Sequence, residues 1–166
     1  MSEHGFMRTD VTDLSLTDLM AQAGVLSQQG QVPVAIALYR AWLALRVADP
    51  LRYVALFNLG VLHGSLQQPQ EAEPLYREAL RLQPTLLQAR LNLGHALENQ
   101  GKLDDAVAQW QQVLDELASV PQPDVALQLH ALNNLARALE SAKRYDEAEA
   151  YMASSLQVEP DQIGRA

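Results

Sequence analysis

Three asparagines stand in a recurring three-residue motif and are the first candidates for binding chemistry. The motif is Asn-Leu-Gly at 58–60 and 92–94, and Asn-Leu-Ala at 134–136. Asparagine is unfavourable inside a helix because its side chain competes for backbone groups. A primary amide offers both a donor and an acceptor, so it matches a peptide group of any sequence. Peptide recognition is one interpretation, and hydrogen bonding that fixes neighbouring repeats is the other.

Further polar residues fall on the same helical face as these asparagines. His95 and Arg137 each lie three residues after an asparagine, His130 lies four before Asn134, and Glu98 follows one turn after His95. This mixed surface suits a peptide that carries both charges, and the alternative is an ordinary solvated face. The peptide-binding residues predicted on the concave face are Asn58, Asn92, Asn134, His95, His130, Arg137 and Glu98.

The remaining polar residues form no pattern typical of catalysis or of metal binding. The spacing of the four histidines is neither HExxH-like nor i,i+4, and His63 is expected to be a packed core residue. The chain contains no cysteine, no phosphate-binding glycine loop and no nucleophile motif. We therefore predict no enzyme activity, no metal ion and no cofactor.

A helical repeat must position the candidate residues. Fourteen residues after each asparagine stands an alanine, and a bulky side chain follows four residues later. Spacing of four places the small and the large residue on one helical face. Each repeat is therefore predicted to be two helices joined by a short turn. The pairs are Ala72 with Tyr76, Ala106 with Trp110, Ala148 with Met152 and, in a degenerate earlier repeat, Ala35 with Tyr39.

The predicted fold is all-α, with eight helices in about four repeats. The domain is expected to span 15–160, between a flexible N-terminal tail at 1–14 and a C-terminal tail at 161–166. The repeats are predicted at about 16–50, 51–84, 85–121 and 123–160. The helices are predicted at about 16–29, 33–47, 52–66, 69–82, 86–100, 103–118, 124–141 and 145–158.

Glycine and proline mark the predicted helix ends. Gly30 and Gly101 suit the left-handed position after a first helix, and Pro33 and Pro69 suit the first turn of a second helix. Pro74 falls inside the fourth helix, where it should cost a hydrogen bond or delay the helix start. Residues 118–128 add eight residues to the period and are expected to lengthen the seventh helix. The second helices are expected to end at Pro50, Pro84, Pro121 and Pro160.

Composition narrows the classes of partner. Of the 166 residues, 48% are apolar and only 5% are aromatic, which is typical of packed helices. The formal charge of −8 disfavours binding to nucleic acid and to anionic membranes. Neither a signal peptide nor an apolar run of roughly 20 residues is present. We expect a soluble cytoplasmic protein that binds neither nucleic acid nor membrane.

The motif positions resemble the tetratricopeptide repeat, which has Leu-Gly in its first helix, Ala and an aromatic in its second, and Pro at its end. The match covers about residues 16–160, although the first repeat has Gln22-Ala23 in place of Leu-Gly. The resemblance implies a right-handed solenoid of helical hairpins. It also implies a protein–protein interaction scaffold that binds a peptide or partner protein in its concave groove. The alternative is a structural, self-assembling repeat protein with no groove ligand.

A narrower resemblance lies in the segments YRAWLALRVADPLRYVALFNLGVL, ARLNLGHALENQG and LHALNNLARALESAKRYDEAEA. They are similar to the repeat region of bacterial SPINDLY-like proteins, which are related to O-linked N-acetylglucosamine transferases. In that family the repeats precede a glycosyltransferase domain, and repeat asparagines grip the backbone of protein substrates. Asn58, Asn92 and Asn134 match those positions, while the first repeat has Ala21. The resemblance implies substrate recognition, without transferase activity in this chain.

The last predicted helix carries an apolar stripe with no helix after it. Ala148, Met152 and Leu156 recur at spacing four, and a solenoid needs a polar outer face on its terminal helix. We expect the chain to be either a fragment of a longer protein or a homodimer or higher oligomer. Met152 and Leu156 are the residues predicted for self-association.

Overall fold

The computed structural model describes residues 13–158 of the chain. Within that range the chain forms eight α-helices and no strand, which confirms the all-α prediction. The predicted helix ends agree with the observed ones to within two residues. The helices are α1 (Leu16–Gln28), α2 (Val32–Leu45), α3 (Arg52–Ser65), α4 (Pro69–Leu82), α5 (Leu87–Glu98), α6 (Leu103–Ala118), α7 (Val125–Ser141) and α8 (Tyr145–Val158).

The helices stack as successive hairpins. Each odd-numbered helix packs on the even-numbered helix that follows it, and each hairpin packs on the next. In addition, α3 contacts α5 and α5 contacts α7, whereas no two even-numbered helices between residues 13 and 158 pack to this extent. The odd-numbered helices therefore line the inner, concave side of the stack, and the even-numbered helices form its outer side.

The core consists of two clusters that meet in the middle of the stack. One is built around Trp42 and the other around Trp110, and both side chains are fully buried. Phe57 and Leu86 pack against both clusters, so the core is continuous. Because each hairpin touches only its neighbours along most of its length, stability is expected to vary along the stack.

The folded part of the chain begins earlier than the sequence indicates. Leu14, which the prediction assigns to the N-terminal tail, is only 2% exposed, and its carbonyl accepts a 2.9 Å hydrogen bond from Trp42 Nε1. Residue 14 therefore belongs to the first core cluster. The rest of the predicted N-terminal tail, the predicted C-terminal tail and the helix end assigned to Pro160 lie outside the described residues.

The first helix of every repeat ends in the same way. In each case a backbone N–H reaches back five residues, as in the bond of 2.9 Å from Arg144 N to the Leu139 carbonyl. This closure requires a residue of positive φ, and Gly30 (74°) and Gly101 (75°) supply it, as predicted. In the second and fourth repeats the positions hold Gln67 (56°) and Lys143 (62°), which no sequence signal marks.

Lys143→Gly is expected to stabilise the fold by about 0.5–1 kcal/mol. Left-handed backbone costs an L-residue roughly 1–2 kcal/mol, and part of that gain is offset by the greater freedom of glycine in the unfolded chain. Urea unfolding followed by far-UV circular dichroism measures the change. Lys143→Ala, which keeps the Cβ, is the matched control and should change little. Equal stabilities for the Gly and Ala variants would contradict the prediction.

Two irregularities of the sequence have different outcomes. Pro74 lies inside α4, which nevertheless begins at Pro69, so the helix start is not delayed. The helix lacks one backbone N–H···O hydrogen bond, because proline has no N–H. The additional residues around 118–128 lengthen α7 to 17 residues, as predicted, and α6 before them has the 16 residues predicted for it.

Candidate functional site

The inner face of the stack carries two cavities that lie one repeat apart. Slot one has a volume of about 190 Å³ and lies among α1, α2 and α3. Slot two has a volume of about 230 Å³ and lies among α3, α4 and α5. Slot one is lined by Met20, Ala23, Gly24, Ser27, Tyr39, Asn58, Val61 and Leu62. Slot two is lined by Val61, Gly64, Gln67, Pro69, Ala72, Tyr76, Asn92, His95, Ala96 and Asn99.

Equivalent tyrosine and asparagine side chains line both slots. Tyr39 and Tyr76 come from second helices, whereas Asn58 and Asn92 come from the first helix of the following repeat. Burial raises the pKa of Tyr39, and it raises the pKa of Tyr76 to about 12, while the neighbouring asparagine amides oppose these shifts. The phenols are therefore protonated at neutral pH. Each asparagine also contacts the preceding repeat, so part of its role is structural.

Small residues of the first helices make room for the slots. Gly60 lies directly on the Tyr76 ring, since a Cβ at this position would come within 2.6 Å of Tyr76 Cε1. Around Gly24 and Gly64 there is free space, because a Cβ at Gly24 would meet no atom within 4 Å and one at Gly64 only the Tyr76 hydroxyl at 3.6 Å. The inner surface of the first two repeats is therefore open above the tyrosines.

Asn58 has an unused hydrogen-bond donor in slot one. Its Nδ2 is buried and makes no hydrogen bond of regular geometry, although the amide lies near the Tyr39 phenol. A buried donor without a partner costs about 1–3 kcal/mol. The other such side-chain atom between residues 13 and 158 is Arg90 Nε, whose guanidinium bonds Gln112 and Glu116 through its other nitrogens. Asn58 is thus the unsatisfied group that lines an inner-face cavity.

The corresponding gap between α5 and α7 is crossed by side-chain pairs. Asn134 Nδ2 lies 3.2 Å from His95 Nε2, and Arg137 makes two hydrogen bonds of 2.8 and 2.7 Å to the carboxylate of Glu98. At the position that Tyr39 and Tyr76 hold in the first two repeats, α6 has Trp110. Its indole N–H donates to the Leu91 carbonyl at 3.1 Å. The polar groups of the third gap therefore satisfy one another.

His95 joins slot two to this third gap. Its ring contacts Trp110 edge-on with a centroid distance of 5.4 Å, and it also lines slot two. Burial lowers the pKa of His95, Glu98 opposes the shift, and the positive charges of Arg137 and His130 add to it. The imidazole is therefore mainly neutral at neutral pH, where it can pair with the Asn134 amide.

The predicted groove residues separate into three groups. Asn58, Asn92 and His95 line the open slots. Asn134, Glu98 and Arg137 pair across the third gap, with His95 as the partner of Asn134, whereas His130 is exposed on α7. Tyr39, Tyr76 and Val61 also line the slots and were not among the predicted residues. A signal for them exists, because each tyrosine precedes an asparagine by 16 or 19 residues and Val61 stands three residues after one.

Between residues 13 and 158 no helix is long and apolar enough to cross a membrane, and no group of three His, Asp or Glu side chains could hold a metal ion. His63 is 4% exposed and its Nδ1 lies 2.7 Å from Gln68 Oε1, so it is a packed residue of the α3–α4 hairpin.

Comparison with known families agrees with the helical-hairpin architecture. Models described as tetratricopeptide repeat match residues 53–86 and 85–158. These matches include the Asn-Leu-Gly or Asn-Leu-Ala motif and the alanine-plus-bulky pair of three repeats. The chain belongs to the tetratricopeptide repeat family. No curated protein sequence matches it.

Solved structures share the fold at low sequence identity. The crystal structure of MamA is 19% identical with a TM-score of 0.75, over 89% of this chain and 80% of that one. BtubC (BKLC) from P. vanneervenii is 18% identical with a TM-score of 0.78, over 90% and 65% of the respective chains. The repeats of a putative kinesin light chain from Podosopora anserina are 21% identical with a TM-score of 0.74, over 89% and 77%. At this identity the likeness concerns the fold alone.

Proposed function

We propose that this chain is a protein-interaction scaffold that holds an extended peptide segment along its inner face. The segment places two neighbouring stretches of its chain in slot one and slot two. Tetratricopeptide repeats offer such a surface because stacked first helices form a continuous concave face. The proposal assigns no catalytic step to the chain.

The observation that carries the proposal is the unused donor of Asn58. A peptide carbonyl in slot one would satisfy this amide after a small side-chain rotation, since buried polar groups are otherwise nearly always paired. Asn92 occupies the same place in slot two. Two amides one repeat apart can bind backbone groups irrespective of the peptide's side chains.

The lining of the slots indicates the chemistry of the peptide. Neither slot is lined by Asp, Glu, Lys or Arg. A charged side chain would lose hydration there without gaining a partner. The sequence suggested a peptide with both charges, but Glu98 and Arg137 already neutralise each other. The favoured ligand is therefore an uncharged segment with small or medium-sized apolar side chains.

The double variant Asn58→Ala, Asn92→Ala is expected to bind such peptides about 100-fold more weakly. Each lost hydrogen bond contributes about 1–1.5 kcal/mol, which is about tenfold in affinity. The ligands are obtained by panning a display library of random twelve-residue peptides against the full chain. Fluorescence anisotropy of the enriched peptides then measures the dissociation constants.

Two single variants are the matched controls for this experiment. Asn133 lies on α7 and accepts a 2.9 Å hydrogen bond from Ser155, so Asn133→Ala removes an asparagine that lines neither slot. Asn134→Ala tests the paired third gap and is expected to weaken binding less than threefold. Enrichment of charged peptides, no enrichment, or unchanged affinity in the double variant would each contradict the proposal.

The resemblance to SPINDLY-like repeats supports a narrower form of the same proposal. In that form the groove selects protein substrates for a glycosyltransferase-like protein, and the binding takes place in the cytoplasm. If a transferase co-purifies with the chain from its source cell and moves labelled N-acetylglucosamine from its nucleotide sugar to proteins held by the chain, that result would support this role. Absence of transfer, or recovery of the chain outside the cytoplasmic fraction, would exclude it while leaving peptide binding intact.

A further inference from the structure

The outer face of α2 is apolar apart from Arg40. Seven residues of α2 are exposed, and Arg40 is the only polar one among them. Val34 is 51% exposed and Leu45 is 54% exposed, at the two ends of the face. Ala37 and Ala41 lie between them, so the middle of the face is shallow.

The second helices of the next two repeats are more polar than α2 on this face. The residues equivalent to Val34, Ala37 and Ala41 are Glu71, Pro74 and Glu78 in α4, and Asp105, Ala108 and Gln112 in α6. The middle position is thus apolar in all three helices, whereas a carboxylate or an amide replaces Val34 and Ala41. A surface helix normally turns a polar face to water, and an exposed apolar face indicates a contact with another molecule or segment. An apolar face with Arg40 as its only polar residue therefore distinguishes α2 from α4 and α6.

The last helix of the same chain carries a complementary face. Tyr145, Met152 and Leu156 are 60%, 40% and 68% exposed. Asp146, Glu147 and Glu149 lie among them, and α8 contains no Lys or Arg. Glu147 pairs with Arg144, whereas Glu149 has no basic residue on its own helix. The face is therefore bulky and acidic, and the outer face of α2 is shallow and carries a cation.

The two faces also agree in length and register. Val34 and Leu45 are eleven residues apart, as are Tyr145 and Leu156, which is about 16 Å of helix in each case. In an antiparallel alignment that sets Leu156 beside Val34, Tyr145 falls beside Leu45 and Met152 falls between Ala37 and Ala41. The same alignment sets Glu149 next to Arg40. Met152 thus meets small side chains, apolar side chains meet at both ends, and opposite charges meet near the centre.

We propose that α8 of one copy of this chain docks antiparallel on the outer face of α2 of a second copy. Within one chain α2 packs with α1 and α3, and α8 packs with α7, so the two faces lie in the first and last repeats and are separate surfaces. A contact between two different surfaces leaves one of each free on every dimer, and association therefore continues into chains or closes into rings. This use of Met152 and Leu156 is independent of the groove.

Sedimentation of the full chain tests the proposal. One helix pair buries less surface than the roughly 1,200 Å² of stable complexes, so association is expected to be weak and the concentration is varied from about 10 µM to about 1 mM. The mean mass is expected to rise with concentration beyond that of a dimer. Ala41→Glu disables the face on α2, and Met152→Lys disables the face on α8. Each variant alone should be monomeric. An equimolar mixture should form a heterodimer and nothing larger, since it contains one intact pair of faces.

A charge exchange provides an independent arm. Arg40→Glu should weaken association at least tenfold, and Arg40→Glu with Glu149→Arg should restore it. Unchanged far-UV circular dichroism and melting confirm that the variants are folded. A monomeric wild-type chain at every concentration would overturn the proposal. A closed dimer that persists in the Met152→Lys variant would also overturn it, since it would indicate that α2 pairs with α2. A mixture of the two variants that stays monomeric would overturn it as well.

Discussion

Gly94→Ala is expected to lower the free energy of unfolding by about 3 kcal/mol, as severe overpacking does in a closed core. A Cβ at this position would fall within 2.6 Å of Trp110 Cε2. Trp110 cannot retreat easily, because it is fully buried and its indole N–H is hydrogen bonded to the Leu91 carbonyl. Urea unfolding followed by circular dichroism measures the loss.

The other repeats indicate how the cost of Gly94→Ala can be relieved. The fourth repeat combines Ala136 with Met152 at the equivalent positions, and no repeat combines alanine with tryptophan. Adding Trp110→Met to Gly94→Ala should therefore recover at least about 1 kcal/mol relative to the sum of the single changes. Gly24→Ala is the control, since its Cβ meets no atom within 4 Å and alanine favours a helix by about 0.5–1 kcal/mol. Similar losses at Gly24 and Gly94 would refute the steric argument.

Trp42→Ala is expected to cost about 3–5 kcal/mol, the usual range for removing a buried tryptophan. The side chain is fully buried in the first core cluster, and its indole N–H holds the Leu14 carbonyl at 2.9 Å. Trp42→Phe should cost less, because it keeps an aromatic ring in the cavity and Arg46 also donates to that carbonyl at 3.3 Å.

The loss in Trp42→Ala should be concentrated at the N-terminal end of the stack. The chain has two tryptophans, so Trp110 is the only one left in this variant and reports on the second core cluster. Circular dichroism should show helix melting at lower urea than the change in Trp110 fluorescence. Coincident transitions would mean that the stack unfolds as one cooperative unit.

Much of the fold was predictable because its determinants are local. Spacing of three and four residues places apolar side chains on one helical face, and this spacing does not depend on what the face later contacts. Proline at the start of α2 and α4, and glycine after α1 and α5, mark ends through backbone geometry alone. The insertion was located for the same reason, as a departure from a regular period.

Other features depend on neighbours that no local pattern identifies. Gln67 and Lys143 adopt positive φ because the turn must close between two packed helices, and the stack compensates the cost. Leu14 was assigned to a tail, yet it is buried because Trp42, 28 residues later, supplies its hydrogen bond and its packing.

By itself the sequence determined that this protein is a stack of tetratricopeptide hairpins with asparagines turned to the inner face. Helical periodicity and the alanine-plus-bulky pairs predict the hairpins, since both act within a single hairpin, and the motif positions carry the resemblance to the tetratricopeptide repeat. The tertiary structure alone decided which of those asparagines face open space. Asn58 and Asn92 line slots, whereas the Asn134 amide pairs with His95. Asn134 and His95 are 39 residues apart in the chain, so they meet only when the hairpins stack.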